Sequence, residues 1–219
     1  NLTVAVDWIN NGTFNFASTS ADMVMQGVTF TNAGLMDFNH TTNFADILNG
    51  TTGSFVNTNT LNIITPTADT HFTLPFSNSG AFNLSGNTVF LQDVSDNSGI
   101  INIASGINLT LDAGAVLTLN SGSAFTGSQG NLNVPTGEVL DVAVLQTMPV
   151  GMTLNLQGGT INNAQNLTTP NTFNISGGTI NGSVSPFITP ASTLTTFTGG
   201  TSNLTVAVDW INNGTFNFA

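Results

Sequence analysis

The segment WINNGTFNF, residues 8–16, places an Asn two positions after an aromatic residue and ends in an alternating apolar–polar–apolar triplet. Its pattern, apolar–x–Asn–x–Gly–x–apolar–polar–apolar, returns with small changes as FTNAGLMDF (30–38), FVNTNTLNI (55–63), FSNSGAFNL (76–84) and SDNSGIINI (95–103). Successive Asn residues of the motif are 22, 25, 21 and 19 positions apart: Asn10, Asn32, Asn57, Asn78 and Asn97. A motif that returns after about 20 residues indicates a repeat architecture.

The second half of the chain changes the residues and keeps the step. LNLQGGTIN (154–162) returns as FNISGGTIN (173–181), and short alternating strands also fill the segment 108–125. An apolar–polar–apolar triplet has the period of two that is typical of a β-strand with one buried face. Thr, Val, Ile and Phe are common, and no stretch shows helical periodicity.

A step of about 20 residues holds two or three short strands with their corners, which is one rung of a β-helix. An antiparallel sandwich also has short strands, but it gives no reason for an Asn-Gly motif at a regular step. We therefore predict an all-β parallel β-helix, or β-solenoid, with about ten rungs of roughly 20 residues, each about 4.8 Å above the last. Gly and Asn between the strands are expected to supply left-handed backbone angles at the corners.

Stacked rungs place equivalent residues above one another. The sequence predicts an aromatic column of Trp8, Phe30, Phe55 and Phe76. It also predicts a ladder of hydrogen-bonded Asn10, Asn32, Asn57, Asn78 and Asn97, because stacked amides donate and accept along a column.

A longer repeat encloses the short one. The first 17 residues, NLTVAVDWINNGTFNFA, recur unchanged as residues 203–219, an offset of 202 residues. We interpret residues 1–202 as one full tandem unit and residues 203–219 as the start of the next. Ten rungs would make a unit roughly 48 Å long.

The composition excludes several function classes. The chain has no Lys, no Arg and no Cys, and its 11 acidic residues give a formal net charge of −11. Nucleic-acid binding depends on cations that neutralise phosphates, so we expect no nucleic-acid partner. A polybasic membrane anchor is excluded for the same reason, and no apolar run is long enough to insert into a bilayer.

Few side chains suggest a catalytic or metal site. His40 and His71 have no second His or Cys nearby, and we interpret both as polar corner residues rather than zinc ligands. The close acid pairs are Asp93 with Asp96 and Glu138 with Asp141. Either pair could serve glycoside cleavage, and Asp93, Asp96 and Asn97 could bind calcium. We assign no catalytic, cofactor or metal residue and predict that the chain is not an enzyme.

Asn-x-Ser/Thr triplets are frequent, as expected from the Asn and Thr content, and in a glycosylating host they would be acceptor sites. They include the triplets that begin at Asn1, Asn11, Asn39, Asn49, Asn83, Asn108, Asn166, Asn174 and Asn181. Asn83 and Asn174 are predicted to point outward from strands.

The repeated rungs resemble the filamentous haemagglutinin-like and autotransporter-like β-helical repeat proteins of bacterial surfaces. The resemblance implies a secreted or cell-surface location and the role of a fibre or adhesin. This chain departs from the usual pattern because it has no cations and an unchanged long repeat.

We expect a structural repeat of an extracellular filament that stacks end to end with itself; other fibre chains and surface glycans are further partners. The alternatives are a carbohydrate- or surface-binding adhesin module and, less favoured, a polysaccharide-active β-helix enzyme.

Overall fold

The computed structural model describes residues 1–18, 22–40, 45–49, 52–64, 68–127, 129–183, 185–199 and 203–219. Over these residues the chain is an all-β parallel solenoid of about nine turns. The predicted fold class is therefore confirmed. The single helical element of the described ranges is a short 3-10 turn at Ala164–Asn166.

Most strands have three to six residues, and two have ten. In chain order they are β1 (Leu2–Val4), β2 (Trp8–Asn10), β3 (Thr13–Ser18), β4 (Met23–Met25), β5 (Thr29–Asn32), β6 (Leu35–His40), β7 (Ala45–Asn49), β8 (Ser54–Asn57), β9 (Thr60–Ile63), β10 (Thr70–Phe72), β11 (Phe76–Asn78), β12 (Ala81–Leu84), β13 (Val89–Leu91), β14 (Ser95–Asn97), β15 (Ile100–Ile103), β16 (Asn108–Leu111), β17 (Val116–Leu119), β18 (Ala124–Thr126), β19 (Asn131–Pro135), β20 (Val139–Val142), β21 (Gln146–Thr147), β22 (Thr153–Asn162), β23 (Leu167–Thr168), β24 (Thr172–Asn181), β25 (Phe187–Thr189), β26 (Leu194–Phe197), β27 (Leu204–Ala207), β28 (Trp210–Asn212) and β29 (Thr215–Phe218).

Nearly every strand pairs in parallel with the strand one turn later, and this pairing divides the solenoid into three faces. Face A contains β1, β4, β7, β10, β13, β16, β19, β26, β29 and the first halves of β22 and β24. Face B contains β2, β5, β8, β11, β14, β17, β20, β27 and the second halves of β22 and β24. Face C contains β3, β6, β9, β12, β15 and β18 as one sheet, followed by β21 with β23 and by β25 with β28. Because β22 and β24 continue around a corner, faces A and B form one sheet.

The turns differ in length. Paired residues lie from 19 positions apart, as for Asn78 and Asn97, to 26 apart, as for Ile180 and Val206. Several turns exceed 20 residues because their corners carry extra residues, so the chain makes about nine turns instead of about ten.

The core runs along the solenoid axis and receives side chains from all three faces. Phe72 of face A, Phe76 of face B and Phe82 of face C meet there, with ring centroids 4.8 to 5.7 Å apart. Alternate residues of each strand are buried, as in the pattern intermediate–buried–intermediate–buried of Ala81–Leu84. Period-two alternation therefore produces the core, as predicted.

The glycines at the corners serve two different purposes. Gly106, Gly114, Gly122 and Gly137 have φ between 76° and 94° and supply left-handed angles, as expected. The glycines of the Asn-Gly motif do not, and here the prediction was wrong. Gly80 lacks a positive φ, but a Cβ on it would lie 2.0 Å from the carbonyl oxygen of Asn59 in the previous turn. At Gly80 the previous turn therefore approaches too closely for a side chain, although the copy at 55–63 has Asn59 at this motif position.

The two copies of the 17-residue segment occupy different faces. In the first copy β1, β2 and β3 lie on faces A, B and C. In the second copy the corresponding strands β27, β28 and β29 lie on faces B, C and A. Between Leu2 and Leu204 the chain therefore makes about nine turns and advances by one additional face.

Candidate functional site

A ladder of buried Asn side chains crosses five turns of face B. Each Nδ2 donates to the Oδ1 of the Asn in the next turn: Asn10 to Asn32 at 2.8 Å, Asn32 to Asn57 at 2.8 Å, Asn57 to Asn78 at 2.7 Å and Asn78 to Asn97 at 2.7 Å. The predicted amide ladder is confirmed at every position.

The same side chains also bind the backbone at the corner between faces B and C. Asn57 Nδ2 lies 3.0 Å from the carbonyl oxygen of Ala81 in the next turn and 3.3 Å from that of Asn59 in its own turn. Buried amides with unmet hydrogen bonds are costly. The ladder satisfies its side chains and the corner backbone together, so it holds consecutive turns at one spacing.

The ladder ends where the column becomes apolar. Asn97 donates to the carbonyl oxygen of Gly99, and its partner in the next turn is Leu119. In the second copy of the segment, Asn212 donates to Gly214 in the same way. Its Oδ1 accepts a hydrogen bond of 2.5 Å from the Thr189 hydroxyl. Asn97 and Asn212 thus each donate to the carbonyl oxygen two residues later in the same turn. In the turn before Asn212, Thr189 occupies the position that an Asn holds in the ladder.

An aromatic column runs beside this ladder, as predicted. Trp8 and Phe30 have ring centroids 5.4 Å apart, Phe30 and Phe55 stack at 5.1 Å, and Phe55 and Phe76 are 5.9 Å apart. Such aromatic pairs contribute beyond the area they bury. The column and the ladder together define the register of the first turns.

A second set of polar ladders lies on the outside of the solenoid. On face C, Asn83 donates to Asn62 at 2.8 Å and Asn62 donates to Asp37 at 2.7 Å. These bonds run from the later turn to the earlier one, opposite to the bonds of the buried ladder.

Face A carries a longer outward column over its later turns. Asn133 donates to Thr110 Oγ1 at 2.9 Å, Asn155 to Asn133 at 2.7 Å and Asn174 to Asn155 at 2.9 Å. The column continues in register through Thr196 to Asn217. It is an ordered, uncharged array of amides and hydroxyls that faces solvent.

A groove of about 390 Å³ lies beside this column. Its lining combines polar and apolar side chains and has no charged residue: Asn155, Leu156, Gln157, Asn174, Ile175, Ser176 and Thr198. Hydroxyl and amide groups of an uncharged ligand are the chemistry that such a lining matches.

The two histidines are far apart in the topology. His71 lies on β10 of face A, with its ring edge-on to Phe90 at 4.7 Å. His40 ends β6 on face C, in backbone register with Ser18; its side chain lies outside the described residues. Among the described residues no group of three His, Cys, Asp or Glu side chains could hold a metal ion.

Each acidic side chain of the two pairs has its own hydrogen-bond partner. Asp93 Oδ1 accepts from the backbone N–H of Val94 at 2.7 Å, and exposed Asp96 accepts from Asn120 at 3.3 Å. Glu138 is 4% exposed, whereas Asp141 lies in an outward position of β20 and accepts from Asn163 at 2.7 Å.

Glu138 is a buried carboxylate that sequence patterns did not reveal. Its Oε1 accepts from the Gly114 N–H at 3.0 Å, and within the described residues its buried Oε2 has no hydrogen-bond partner. Glu138 follows the turn residue Gly137 and precedes a strand. A charged residue directly after a turn glycine is expected to be exposed, so the sequence contains no clear signal that Glu138 is buried.

Several Asn-x-Ser/Thr residues belong to the outward ladders. Asn83 and Asn174 point outward, as predicted, but their Nδ2 groups already donate to neighbouring amides, and Asn181 donates to Asn162 at 3.0 Å. Modification at these positions would remove a ladder bond. The Asn39 and Asn49 triplets extend into residues outside the described ranges.

The final turn presents apolar side chains to solvent. Val206 is 40% exposed, Ile211 46% and Phe218 82%. The inward positions of β27 and β29 have a neighbour below, as Ile180 is below Val206 and Phe197 below Phe218.

Comparison of the chain with models of known protein families, with curated proteins and with solved structures finds no match in any of the three. The coordinates define the class as a parallel β-solenoid, which is compatible with β-helical repeat proteins. Among the described residues no helix is long and apolar enough to cross a membrane.

The sequence predicted the buried ladder and the aromatic column but not the outward columns as continuous features. Their signal is the middle residue of the alternating triplets, which is Asn in Phe82-Asn83-Leu84 and Phe173-Asn174-Ile175. Recognising which of these residues share a column requires the assignment of strands to faces.

Proposed function

We propose that this chain is a structural repeat of a secreted extracellular filament, in which units stack end to end as a β-solenoid rod. The observation that carries the proposal is the pairing of the second 17-residue copy. β27, β28 and β29 pair in register with β24, β25 and β26 and so extend the coil. The same parallel pairing joins turns within the unit, so a following unit needs no new kind of contact.

Two further features support a mechanical role. The buried ladder connects consecutive turns by hydrogen bonds of 2.7 to 2.8 Å. An acid-only chain repels its neighbours laterally, which favours separate rods over bundles. The extracellular location rests on the resemblance to bacterial surface β-helical repeats.

Electron microscopy of chains with one, two and three units tests the rod. We expect unbranched rods that lengthen by about 45 Å per added unit, at 4.8 Å per turn. Compact particles whose longest dimension does not grow with unit number would remove the proposal. Gold-labelled antibodies on intact cells of the producing organism test the location.

A second candidate function is a carbohydrate- or surface-binding adhesin module. The observation that favours it is the uncharged groove beside the face A column. Titration of the chain with neutral oligosaccharides is the direct test, and the double variant Asn155→Ala/Asn174→Ala should abolish any binding at this groove. The matched control is Asn62→Ala/Asn83→Ala, which alters an outward ladder on face C away from the groove.

We also propose that the chain is not an enzyme. Glycoside cleavage requires two carboxyl groups that flank one bond. Glu138 is buried just before β20, whereas Asp141 holds an outward position within that strand. Absence of activity on acidic and neutral glycans is the expected result.

A further inference from the structure

We infer that successive units of the proposed rod are rotated by one face about its axis, so that outward polar columns of consecutive units join on one side. This inference rests on the proposed tandem stacking. It follows from the two identical segments, which the structure places one face apart.

The rotation arises from the number of strands per unit. On faces A and B each strand pairs with the strand one turn later, and on face C this holds from β3 to β18, for β21 with β23 and for β25 with β28. Parallel pairing of the same kind therefore occurs on all three faces. β1 pairs with β4 and β2 with β5. A strand equivalent to β4 would therefore pair with β27 on face B, and one equivalent to β5 with β28 on face C. The next unit would form the same pairs, displaced by one face.

The surroundings of the second copy match those expected for a unit that is rotated by one face. A Cβ on Gly12 in the first copy would have nothing within 4 Å, whereas a Cβ on the equivalent Gly214 would lie 2.2 Å from the carbonyl oxygen of Thr193. This is the close approach that Gly34 and Gly80 make inside the unit. Asn212 likewise receives its lower hydrogen bond from Thr189.

The rotation connects outward columns of like chemistry. The face A column reaches Asn217, which lies in register with Thr196 and is the copy of Asn15. Asn15 begins the face C column, because it pairs with Asp37, and Asp37 in turn pairs with Asn62. In the displaced frame the face A column of one unit therefore continues as the face C column of the next.

The joined column has one surface consequence. It runs for about 50 Å along one side, at 4.8 Å per turn, and starts again one face further around in each unit. The polar array thus winds around the rod and returns to the same face after three units, about 28 turns or about 135 Å. An unrotated junction would instead place the copy of Asn15 after Ile188 on face C.

Cysteine pairs in the 219-residue chain test the frame directly, because the chain has no Cys. Thr196→Cys/Asn217→Cys places the thiols on neighbouring strands in the rotated frame. Ile188→Cys/Asn217→Cys does so in the unrotated frame. Asn155→Cys/Asn174→Cys, a pair inside the unit, is the positive control. Each variant is checked by circular dichroism, treated at high dilution with a short bis-thiol reagent, and mapped by mass spectrometry after Asp-N and chymotrypsin cleavage.

We expect the 196/217 pair to cross-link as completely as the 155/174 control and the 188/217 pair to remain unlinked. Cross-linking of 188/217, or failure of 196/217 while the control succeeds, would overturn the rotation. This result does not depend on filament formation.

Helical reconstruction of a chain of at least four units separates the two proposals. A rod with a rotation of one third of a turn per unit supports both. A rod without rotation removes this inference and leaves the filament, whereas compact particles remove the filament.

Discussion

The buried amides are the residues on which the first half of the solenoid depends most. Each interior Asn of the ladder accepts one hydrogen bond from the turn before and donates to the turn after, and its second N–H binds the corner backbone. These contacts need one acceptor and two donor hydrogens on one side chain, which only the amides of Asn and Gln provide, and Asn has the shorter side chain of the two.

Asn57→Ala should strongly destabilise the chain. The variant leaves buried polar atoms of Asn32, Asn78 and Ala81 without their partner, and we expect the free energy of unfolding to fall by about 3 kcal/mol. Urea denaturation followed by circular dichroism measures it. The control is Asn83→Ala on the outward ladder of face C, where water replaces the lost bond and the expected loss is below about 1 kcal/mol. Equal losses for the two variants would contradict a special role of the buried ladder.

Glu138→Gln should stabilise the chain. Its Oε1 can still accept from Gly114, and the variant removes a charge whose second oxygen is buried without a partner among the described residues. Because an unpaired buried charge costs more than a neutral amide, we expect a gain of about 1 kcal/mol in unfolding free energy. The outward Asp141→Asn is the matched control, expected within about 0.5 kcal/mol of the parent. A loss of stability in Glu138→Gln would show that the carboxylate has a partner in solution.

At the scale of strands and corners, the solenoid is built from one local unit that works at more than one corner. The motif WINNGTFNF forms two strands at the corner between faces B and C and again at the corner between faces C and A. Its Asn binds a corner carbonyl oxygen in both copies: Asn10 donates to Leu35 in the next turn and Asn212 to Gly214 in its own turn. At Gly80 the previous turn leaves no room for a Cβ, whereas nothing in the 219-residue chain lies within 4 Å of a Cβ at Gly12.

Gly80→Ala and Gly12→Ala should therefore differ although they change the same motif position. A Cβ at Gly80 would lie 2.0 Å from the carbonyl oxygen of Asn59, so two turns must separate, and we expect a loss of about 2 to 3 kcal/mol. At Gly12 the space is open, and Ala restricts the unfolded chain, so the change should be neutral or stabilising by about 0.5 kcal/mol. Urea denaturation midpoints compare the two. A similar loss in both would assign the requirement to the backbone conformation.

At the scale of the whole molecule, charge sets how solenoids meet. The chain carries a formal charge of −11 at pH 7 without a single Lys or Arg to form attractive pairs between neighbours. Sheet faces bearing outward amides and hydroxyls would otherwise associate, since edges and flat polar faces are common sites of aggregation.

Lateral association should rise as the pH approaches the isoelectric point of about 4.1. Protonation removes the repulsion, because the 11 acidic groups are the main source of charge. Light scattering between pH 7 and pH 4 should show growing particles, and high salt at pH 7 should act in the same direction by screening. A particle size that stays constant over this range would contradict charge repulsion as the cause of separation.

Much of the architecture could be predicted from local patterns. Triplets such as Phe82-Asn83-Leu84 define strands, and the recurrence of Asn57 and Asn78 at corresponding motif positions defines the register, because each strand pairs with another only one turn away. The fold class, the buried ladder and the aromatic column follow from these two features.

Other features emerged only when the coil was assembled. The face that a segment occupies depends on how many strands precede it around the axis, and corner insertions change the number of residues per turn, so identical segments at 1–17 and 203–219 occupy different faces. The burial of Glu138 and the packing of Gly80 against Asn59 likewise depend on what the neighbouring turn places beside them. The local sequence pattern specifies each strand. Which strands become its neighbours depends on how many strands and corner residues precede it around the solenoid axis.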